Sequence, residues 1–211
     1  MITLDSVSFG YRRDEAIIEA LSWEFAPEAM TAVTGPSGRG KSTLLYLIGL
    51  LLTPWSGRIR ADGVDLASWP DMRRSQFRAE SVGFVFQDAA LDSTRTVLDN
   101  IIESHLYNDL PRREATRRAN DLLERFEVAL RADHKPGEVS GGQAQRIALC
   151  RALLSRPEMV LADEPTGNLD VRTSQLVVDT LAELAHGEGK TVIIATHDPD
   201  IVSVCDQVVE L

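Results

Sequence analysis

The chain has 211 residues, of which 22 are Lys or Arg and 32 are Asp or Glu, so its formal net charge is −10. This acidity argues against a general nucleic-acid binder and against a protein held on anionic lipid, because both need a basic surface. The longest apolar run, LLYLIGLLL, occupies only 44–52, whereas a membrane-spanning helix needs about 20 residues. We therefore expect no direct membrane insertion, and any anionic ligand must be bound by local groups.

The N-terminus and the cysteines indicate the compartment. MITLDSVSFGYRRDE has no basic segment followed by an apolar core, so we expect no secretory signal. Cys150 and Cys205 each lie in an apolar segment, which favours free thiols in a reducing compartment. Composition alone thus describes a single-domain α/β protein of the cytosol.

Short apolar runs alternate with helical patterns, which predicts a parallel or mixed sheet covered by helices. The predicted strands are 2–5, 22–25, 30–34, 82–86, 158–162, 191–195 and 206–210. An apolar helix is predicted after Gly40 and through Leu52, where Pro54 and Gly57 end it.

The segment from about 97 to 128 is helical and highly charged, and we interpret it as a helical insertion. Pro111 occupies a first-turn position in this segment. Its five arginines within 111–125 are interleaved with acidic residues. This mixture favours a solvated helix face over a nucleic-acid patch. The predicted apolar stripe consists of Ala115, Ala119, Leu122 and Phe126.

A glycine-rich loop follows the strand predicted at 30–34. GPSGRGKST at 35–43 matches G-x-x-x-x-G-K-[ST] between a strand and a helix, which is the context that this phosphate-binding pattern requires. Its glycines allow main-chain N–H groups to face phosphate oxygens at the positive end of a helix. Lys41 is placed to reach the β- and γ-phosphates, and Ser42 to bind Mg²⁺. The predicted nucleotide-binding residues are Gly35, Pro36, Ser37, Gly38, Arg39, Gly40, Lys41, Ser42 and Thr43.

Two carboxylates end a later apolar strand. MVLAD at 159–163 is followed directly by Glu164. An acidic pair after a strand is common, and it gains weight here only because a phosphate loop precedes it. In such a protein, the first carboxylate holds Mg²⁺ through water and the second can activate the attacking water. Asp163 is therefore a predicted metal residue and Glu164 a predicted general base.

A second glycine-rich helix start lies in VSGGQAQRIALCRAL at 139–153. Ser140 is a good N-cap, and the glycines after it expose main-chain N–H groups to an anion. Taken alone, the pattern favours an ordinary capped helix. Two phosphate-binding helix starts make sense in one chain if a second copy offers its own to the first copy's nucleotide.

Six motifs, in this order, resemble those of the ATP-binding subunit of an ABC transporter, and the resemblance covers nearly the whole chain. They are Walker A at 35–43, the Q-loop residue Gln87 in GFVFQD, the signature VSGGQ at 139–143, Walker B in LADE at 161–164, the D-loop GNLD at 167–170, and the switch histidine His197 in ATHD.

The resemblance implies one P-loop ATPase domain over 1–211, with a mixed sheet, an antiparallel β subdomain and a helical subdomain. Residues 1–87 and 158–211 would form the RecA-like core with the β subdomain. Residues from about 88 to 157 would form the helical subdomain with the signature.

The family also implies roles for single residues. Tyr11 resembles the aromatic that stacks on adenine, although an ordinary sheet residue explains a lone Tyr almost as well. Gln87 resembles the residue that contacts Mg²⁺ or its water and senses the membrane subunit, and His197 the residue that contacts the γ-phosphate. Asp170 would lie across a dimer interface. The signature residues that would act in trans are Ser140, Gly141, Gly142 and Gln143.

Three positions depart from the common family pattern, namely Arg39, Val139 and Ala144. Val139 replaces Leu with a similar apolar volume. Arg39 stands where a small residue is usual, and either a phosphate contact or a solvent-facing side chain fits it. None of the departures removes Lys41 or Glu164, so active ATP hydrolysis is expected.

The family mechanism implies a head-to-tail homodimer that closes on two ATP·Mg²⁺ and reopens on hydrolysis. The insertion at 97–128 and Gln87 would contact separate transmembrane permease subunits, which would hold the chain at the inner face of the membrane. GFVFQ, ADEPTGNLD and ATHDPDI most resemble the branch of macrolide exporters, lipoprotein-release systems, cell-division complexes and peptide or bacteriocin exporters. Because VVEL ends 14 residues after His197, we expect no C-terminal regulatory domain, and this short ending resembles the bacteriocin group.

Two alternatives stay open beside an exporter. A cell-division type of ATPase would change the shape of a membrane complex without moving cargo. A non-transport ATPase acting on ribosomes or DNA is disfavoured, because such proteins carry two cassettes or a long coiled-coil insertion and neither fits in 211 residues.

Overall fold

The computed structural model describes residues 1–107, 110–167 and 169–211. The strands of these residues are β1 (Ile2–Phe9), β2 (Ile18–Phe25), β3 (Met30–Thr34), β4 (Ser56–Ala61), β5 (Val64–Asp65), β6 (Val82–Val85), β7 (Met159–Asp163), β8 (Thr191–Ala195) and β9 (Gln207–Glu210). The helices are α1 (Lys41–Ile48), α2 (Asp71–Ser81), α3 (Val97–Ile102), α4 (Arg112–Arg125), α5 (Gly141–Leu153), α6 (Val171–His186) and α7 (Pro199–Ser203).

A parallel sheet in the order β6-β7-β8-β3-β9 forms the centre of the fold. All five residues of β7 and all five of β8 are buried, as expected for apolar strands with helices on both faces. Successive residues of β7 face opposite sides, so that Val160 joins one core and Leu161 the other. Because β8 pairs with both β7 and β3, the carboxyl ends of these three strands lie side by side.

A second, antiparallel sheet has the order β2-β1-β4-β5. In β1 the buried residues change phase between Leu4 and Val7, where the register shifts and Ser6 adopts a φ of 50°. Strands β4 and β5 were not predicted from the sequence. The signal was available, because Asp62 and Gly63 have φ values of 47° and 81° and an Asp-Gly pair is typical of a tight hairpin turn.

The helix predicted from Gly40 through Leu52 is too long. Helix α1 ends at Ile48, and Leu50 takes a φ of 57° in the turn that follows. The N–H of Leu50 donates to the carbonyl of Leu47. Leu50 is nevertheless buried. The apolar run therefore continues into a packed turn, and apolar character alone was the wrong indicator of helix length.

The predicted insertion at 97–128 consists of α3, a 3₁₀ turn over Glu103–Leu106, and α4. Residues 108 and 109 of that prediction lie outside the described residues. The buried stripe of α4 includes Leu123 in place of the predicted Leu122, which packs only partly against the core. Arg117 and Arg118 both pair with Glu114 on the same helix, so the charges of this face are largely matched.

Two apolar cores lie on opposite faces of the parallel sheet. Helices α3 to α6 pack on one face, and α1 with the antiparallel sheet packs on the other. The division into a helical subdomain at about 88–157 and a separate core stays a prediction, because the helices of that segment share one apolar core with β7 and β8. Helices α2, α6 and α7 were not assigned from the sequence. None of the described helices has the length and apolar character to cross a bilayer.

Candidate nucleotide site

A cavity of about 700 Å³ opens at the carboxyl edge of the parallel sheet. It gathers residues that follow β3, β6, β7 and β8, which are far apart in the sequence. The predicted residues that line it are Tyr11, Gly35, Pro36, Ser37, Gly38, Gly40, Lys41, Ser42, Thr43, Gln87, Asp163, Glu164 and His197.

Arg39 is the one residue of the 35–43 loop that does not line this cavity, and its side chain is exposed. The structure thus does not bring Arg39 to the other predicted nucleotide-binding residues. Ile17 and Gly167 also line the cavity, although neither was singled out from the sequence. Gly167 belongs to the GNLD motif, whereas nothing in the sequence around Ile17 points to a site.

The loop at 35–43 has the conformation that its glycines predict. Gly35, Gly38 and Gly40 have φ values of 137°, 80° and 94°, which favour glycine over other residues. The Lys41 Nζ donates to the carbonyls of Gly35 at 2.9 Å and Pro36 at 3.2 Å. An ammonium group has three donors, so one remains for an anion. The start of α1 and a cation therefore face the same cavity.

A buried carboxylate faces the loop from β7. The Ser42 Oγ donates to Asp163 Oδ1 at 3.0 Å, and Asp163 is only 2% exposed. Burial raises the pKa of Asp163 and the charge of Glu164 raises it further, while the Ser42 hydrogen bond and Lys41 oppose this. A carboxylate that costs free energy to ionise in this position is suited to a cation partner.

The groups here that could bind a metal are the hydroxyl of Ser42, the carboxylate of Asp163 and the side-chain amide of Gln87, and each offers an oxygen atom. Mg²⁺ prefers such oxygens and is usually held by one or two carboxylates together with substrate phosphates. The described residues contain no cluster of three His, Cys, Asp or Glu side chains able to hold a metal. The site therefore fits Mg²⁺ that arrives with a nucleotide better than a metal bound by protein ligands alone.

Glu164 is held from the end of β8. Its Oε1 lies 2.8 Å from His197 Nδ1, and its Oε2 accepts from the Thr196 Oγ1 at 3.4 Å. Its N–H donates to the carbonyl of Ala195, and its φ is 45°. A non-glycine residue in this conformation is strained, and such residues are concentrated at functional sites. Thr196 was missed from the sequence, because only the adjacency of β7 and β8 places it beside Glu164.

Tyr11 and Gln87 lie at the rim of the cavity. Tyr11 lies two residues after the end of β1 and is 62% exposed, so it is not part of that strand, and its stacking on adenine stays a prediction. Its ring meets Phe9 edge-on at 5.2 Å, and its hydroxyl lies 3.3 Å from Thr43 Oγ1. Gln87 is exposed two residues after β6.

The signature residues and Asp170 do not line the cavity of their own chain. Ser140 is the N-cap of α5, and its side chain and that of Gln143 form a reciprocal capping box. Asp170 is the N-cap of α6, with the Thr173 N–H as donor. A Cβ on Gly142 would lie 3.3 Å from the Leu169 side chain, so the two helix starts are neighbours. Asn168 of the GNLD motif lies outside the described residues.

Comparison with known families decides what this arrangement belongs to. A family model described as ABC transporter matches residues 18–167. The chain belongs to the ABC transporter family. As a member of it, the chain is an ATP-binding ABC ATPase, and the predicted fold, ATP binding and ATP hydrolysis are confirmed.

Relatives of this ABC ATPase match over its whole length. It is 38% identical to the lipoprotein-releasing system ATP-binding protein LolD 1 of Rhodospirillum rubrum, over 100% of this chain and 94% of that one. It is 40% identical to LolD of Cereibacter sphaeroides, over 100% of this chain and 96% of that one. These names confirm the resemblance to the branch that includes lipoprotein-release systems. The bacteriocin-type ending stays a prediction.

A solved structure is similar throughout. It is a dimeric post-hydrolysis state of the ATP-binding cassette MJ0796 bound to ADP and Pi, 32% identical, with a TM-score of 0.94 over 100% of this chain and 94% of that one. A second similar structure is that of a bacterial Atm1-family ABC exporter with ATP bound. It is 32% identical, with a TM-score of 0.86, and the match covers 100% of this chain and 37% of that one.

Proposed function

We propose that this ABC ATPase closes as a homodimer on two ATP·Mg²⁺ and thereby drives a separate membrane permease of the lipoprotein-release type. One observation carries the proposal. A phosphate loop, the Ser42–Asp163 pair and the Glu164–His197 pair all face one cavity at the carboxyl edge of the sheet. The relatives named as lipoprotein-releasing ATP-binding proteins support the type of permease.

In this proposal the loop amides and Lys41 bind the phosphates, and Tyr11 stacks on the adenine. The exposed ring of Tyr11 at the cavity rim supports that role. Ser42, Gln87 and, through water, Asp163 would hold Mg²⁺, which neutralises charge on the phosphates when bound. Positioning and charge neutralisation are the main requirements of phosphoryl transfer to water.

Glu164 is the proposed general base. It takes a proton from water as the water oxygen attacks the γ-phosphorus and the bond to ADP breaks. Each carboxylate oxygen has two acceptor positions, so the contacts to His197 and Thr196 orient the group and leave lone pairs free. His197 is 76% exposed at its side chain and is free to contact the γ-phosphate, as the family implies.

The second copy of the chain would complete the site. Ser140 to Gln143 lie outside the cavity of their own chain, and Asp170 begins the neighbouring helix, so both helix starts are available to a partner. Helix-start N–H groups attract phosphate. The dimer of the similar cassette MJ0796 supports this assembly.

The permease would contact the insertion at 97–128 and residues 86–91 around Gln87, which we call the Gln87 segment. Leu106 and Tyr107, which follow α3, are 62% and 68% exposed, and such large apolar side chains suit a protein contact. Binding to a permease would place the chain at the inner face of the membrane as a peripheral protein.

Glu164→Gln tests the catalytic part of the proposal. The substitution keeps the shape of the side chain but removes the base, so we expect hydrolysis to fall by about 10²-fold or more while ATP binding persists. Light scattering should then show an ATP-dependent dimer. Glu158→Gln is the matched control, since Glu158 lies just before the other end of β7 and pairs with Lys190. A normal rate for Glu164→Gln excludes Glu164 as the base.

A test of the proposed transport function needs the permease as well as this chain. The chain should copurify with a co-expressed permease of the lipoprotein-release type, and ATP should release a lipoprotein from vesicles containing the complex. ATP turnover in the complex without release would instead favour the cell-division type of function. Failure to bind any membrane subunit would exclude both.

A further inference from the structure

Helix α5 contacts the Gln87 segment through two side chains that have not been assigned a role. The Gln145 Nε2 donates to the carbonyl of Phe86 at 3.3 Å. The two terminal nitrogens of Arg151 donate to the carbonyls of Ala89 at 2.8 Å and Ala90 at 2.7 Å. These bonds lie on both sides of Gln87.

The main chain of this segment has few other hydrogen bonds. In the described parts of the chain, no hydrogen bond between main-chain groups outside helices and strands involves residues 87–91. Ala90 takes a φ of 49°, which is strained for a residue with a side chain. Main-chain carbonyls need partners, and here α5 provides them for three residues around Gln87.

Arg151 suits this contact for a geometric reason. A guanidinium presents several donors in a rigid plane, so one side chain bonds two successive carbonyls, which a lysine cannot do in the same way. Burial lowers the pKa of Arg151, while Glu103 acts in the opposite direction. Its bonds go to main-chain carbonyls, so the contact depends on the shape of the fork as well as on charge.

We propose that Gln145 and Arg151 are positioning residues that fix the Gln87 segment to α5, so that Gln87 moves with the signature helix. The inference rests on the proposed roles of Gln87 and of the signature. Ser140 begins the same helix, and 11 residues of helix separate Ser140 from Arg151 by about 16 Å. A nucleotide that engages the start of this rigid element would therefore set the position of Gln87, whose neighbours are bonded to Gln145 and Arg151 further along the same helix.

The test is a double-mutant cycle on ATP hydrolysis between Gln87→Ala and Arg151→Met. Arg151→Met keeps length and removes the donors. If Arg151 acts through Gln87, the substitution Arg151→Met should lower kcat by about tenfold with little change in the KM for ATP. The double mutant should then be no slower than Gln87→Ala alone. The concentration of Mg²⁺ for half-maximal rate should rise in both single mutants.

Arg146 provides the matched control on the same helix. It donates to the carbonyls of Phe126 and Glu127, away from Gln87. Arg146→Met should combine additively with Gln87→Ala and leave the Mg²⁺ requirement unchanged. Additive behaviour of Arg151→Met as well would overturn the inference, because its effect would then be general to the helix.

Two further variants keep the test decisive if Arg151→Met does not fold. Arg151→Lys keeps the charge without the fork, and Gln145→Leu keeps the shape without the donor. Both should show the same non-additivity with Gln87→Ala, and full activity of both would overturn the inference. If Gln87→Ala itself hydrolyses ATP normally, the proposed role of Gln87 fails and the inference fails with it. If Gln87→Ala is slow and its effect adds to that of Arg151→Met, this inference fails while the proposed role of Gln87 stands.

Discussion

Two glycines with nearly the same positive φ can separate the effect of backbone strain from the effect on phosphate binding. Gly38, in the phosphate loop, has a φ of 80°, and Gly63, in the β4–β5 turn, has a φ of 81°. A Cβ added at either position meets no atom within 4 Å. Gly38→Ala and Gly63→Ala therefore place a Cβ at nearly the same positive φ without a steric clash, so we expect similar backbone strain, and only Gly38 lies in the candidate site.

The strain of a left-handed conformation is about 1 kcal/mol for a residue with a Cβ. In a chain of this size, that corresponds to a fall in Tm of about 2–4 °C, and we expect it for both variants. Only Gly38→Ala should also weaken ATP binding, because phosphate oxygens must approach the loop N–H groups closely. We expect a loss of affinity of about tenfold or more, which is about 1.4 kcal/mol.

Urea unfolding without nucleotide measures the stabilities, and titration calorimetry measures the ATP affinities. Gly40→Ala extends the series, since its Cβ would lie 2.6 Å from Ile17 Cγ2 and should cost more stability than either. Unequal stability losses for Gly38→Ala and Gly63→Ala would refute the strain argument. Equal ATP affinities for these two variants would refute the phosphate site.

Four further variants, at three positions, test charge and capping. Asp163→Asn should stabilise the nucleotide-free protein at pH 7, because burial raises the pKa of Asp163. The gain in stability should vanish below about pH 4, where the carboxyl of the unfolded chain is protonated as well. The variant should also lose ATP hydrolysis. If urea unfolding shows that Asp163→Asn is less stable than the parent at pH 7, this prediction is wrong. The Met30 N–H and His186 lower the pKa of Asp206. Asp206→Asn should therefore lose stability at neutral pH. The difference from the parent should shrink as pH falls below about 3.9 and disappear below the lowered pKa of folded Asp206; a difference independent of pH excludes ionisation as its cause. Ser140→Ala removes an N-cap and should cost about 1 kcal/mol, whereas Ser140→Asp should restore stability but not ATPase activity; recovery of both means that Ser140 acts only as a cap.

Much of the candidate site follows from short local patterns. The loop at 35–43, the two carboxylates at the end of β7 and the capped start of α5 were predicted because each depends on residues adjacent in the chain. Element lengths were less predictable, since the apolar run continues past the end of α1 at Ile48 into a turn in which Leu50 is buried. The charged helices were placed correctly, but the choice between Leu122 and Leu123 depended on the packing of α4.

The sequence by itself determined the chemistry of this protein: the acidic chain carries a local phosphate loop, an acidic pair and a switch histidine in the order of an ABC ATPase. The tertiary structure decided which of these groups meet. The strand order places β8 between β7 and β3, so that Thr196 and His197 reach Glu164 and the loop reaches Asp163. The hold of Arg151 on the Gln87 segment likewise joins residues about 60 positions apart. Such contacts depend on how strands and helices pack, and no local pattern encodes them.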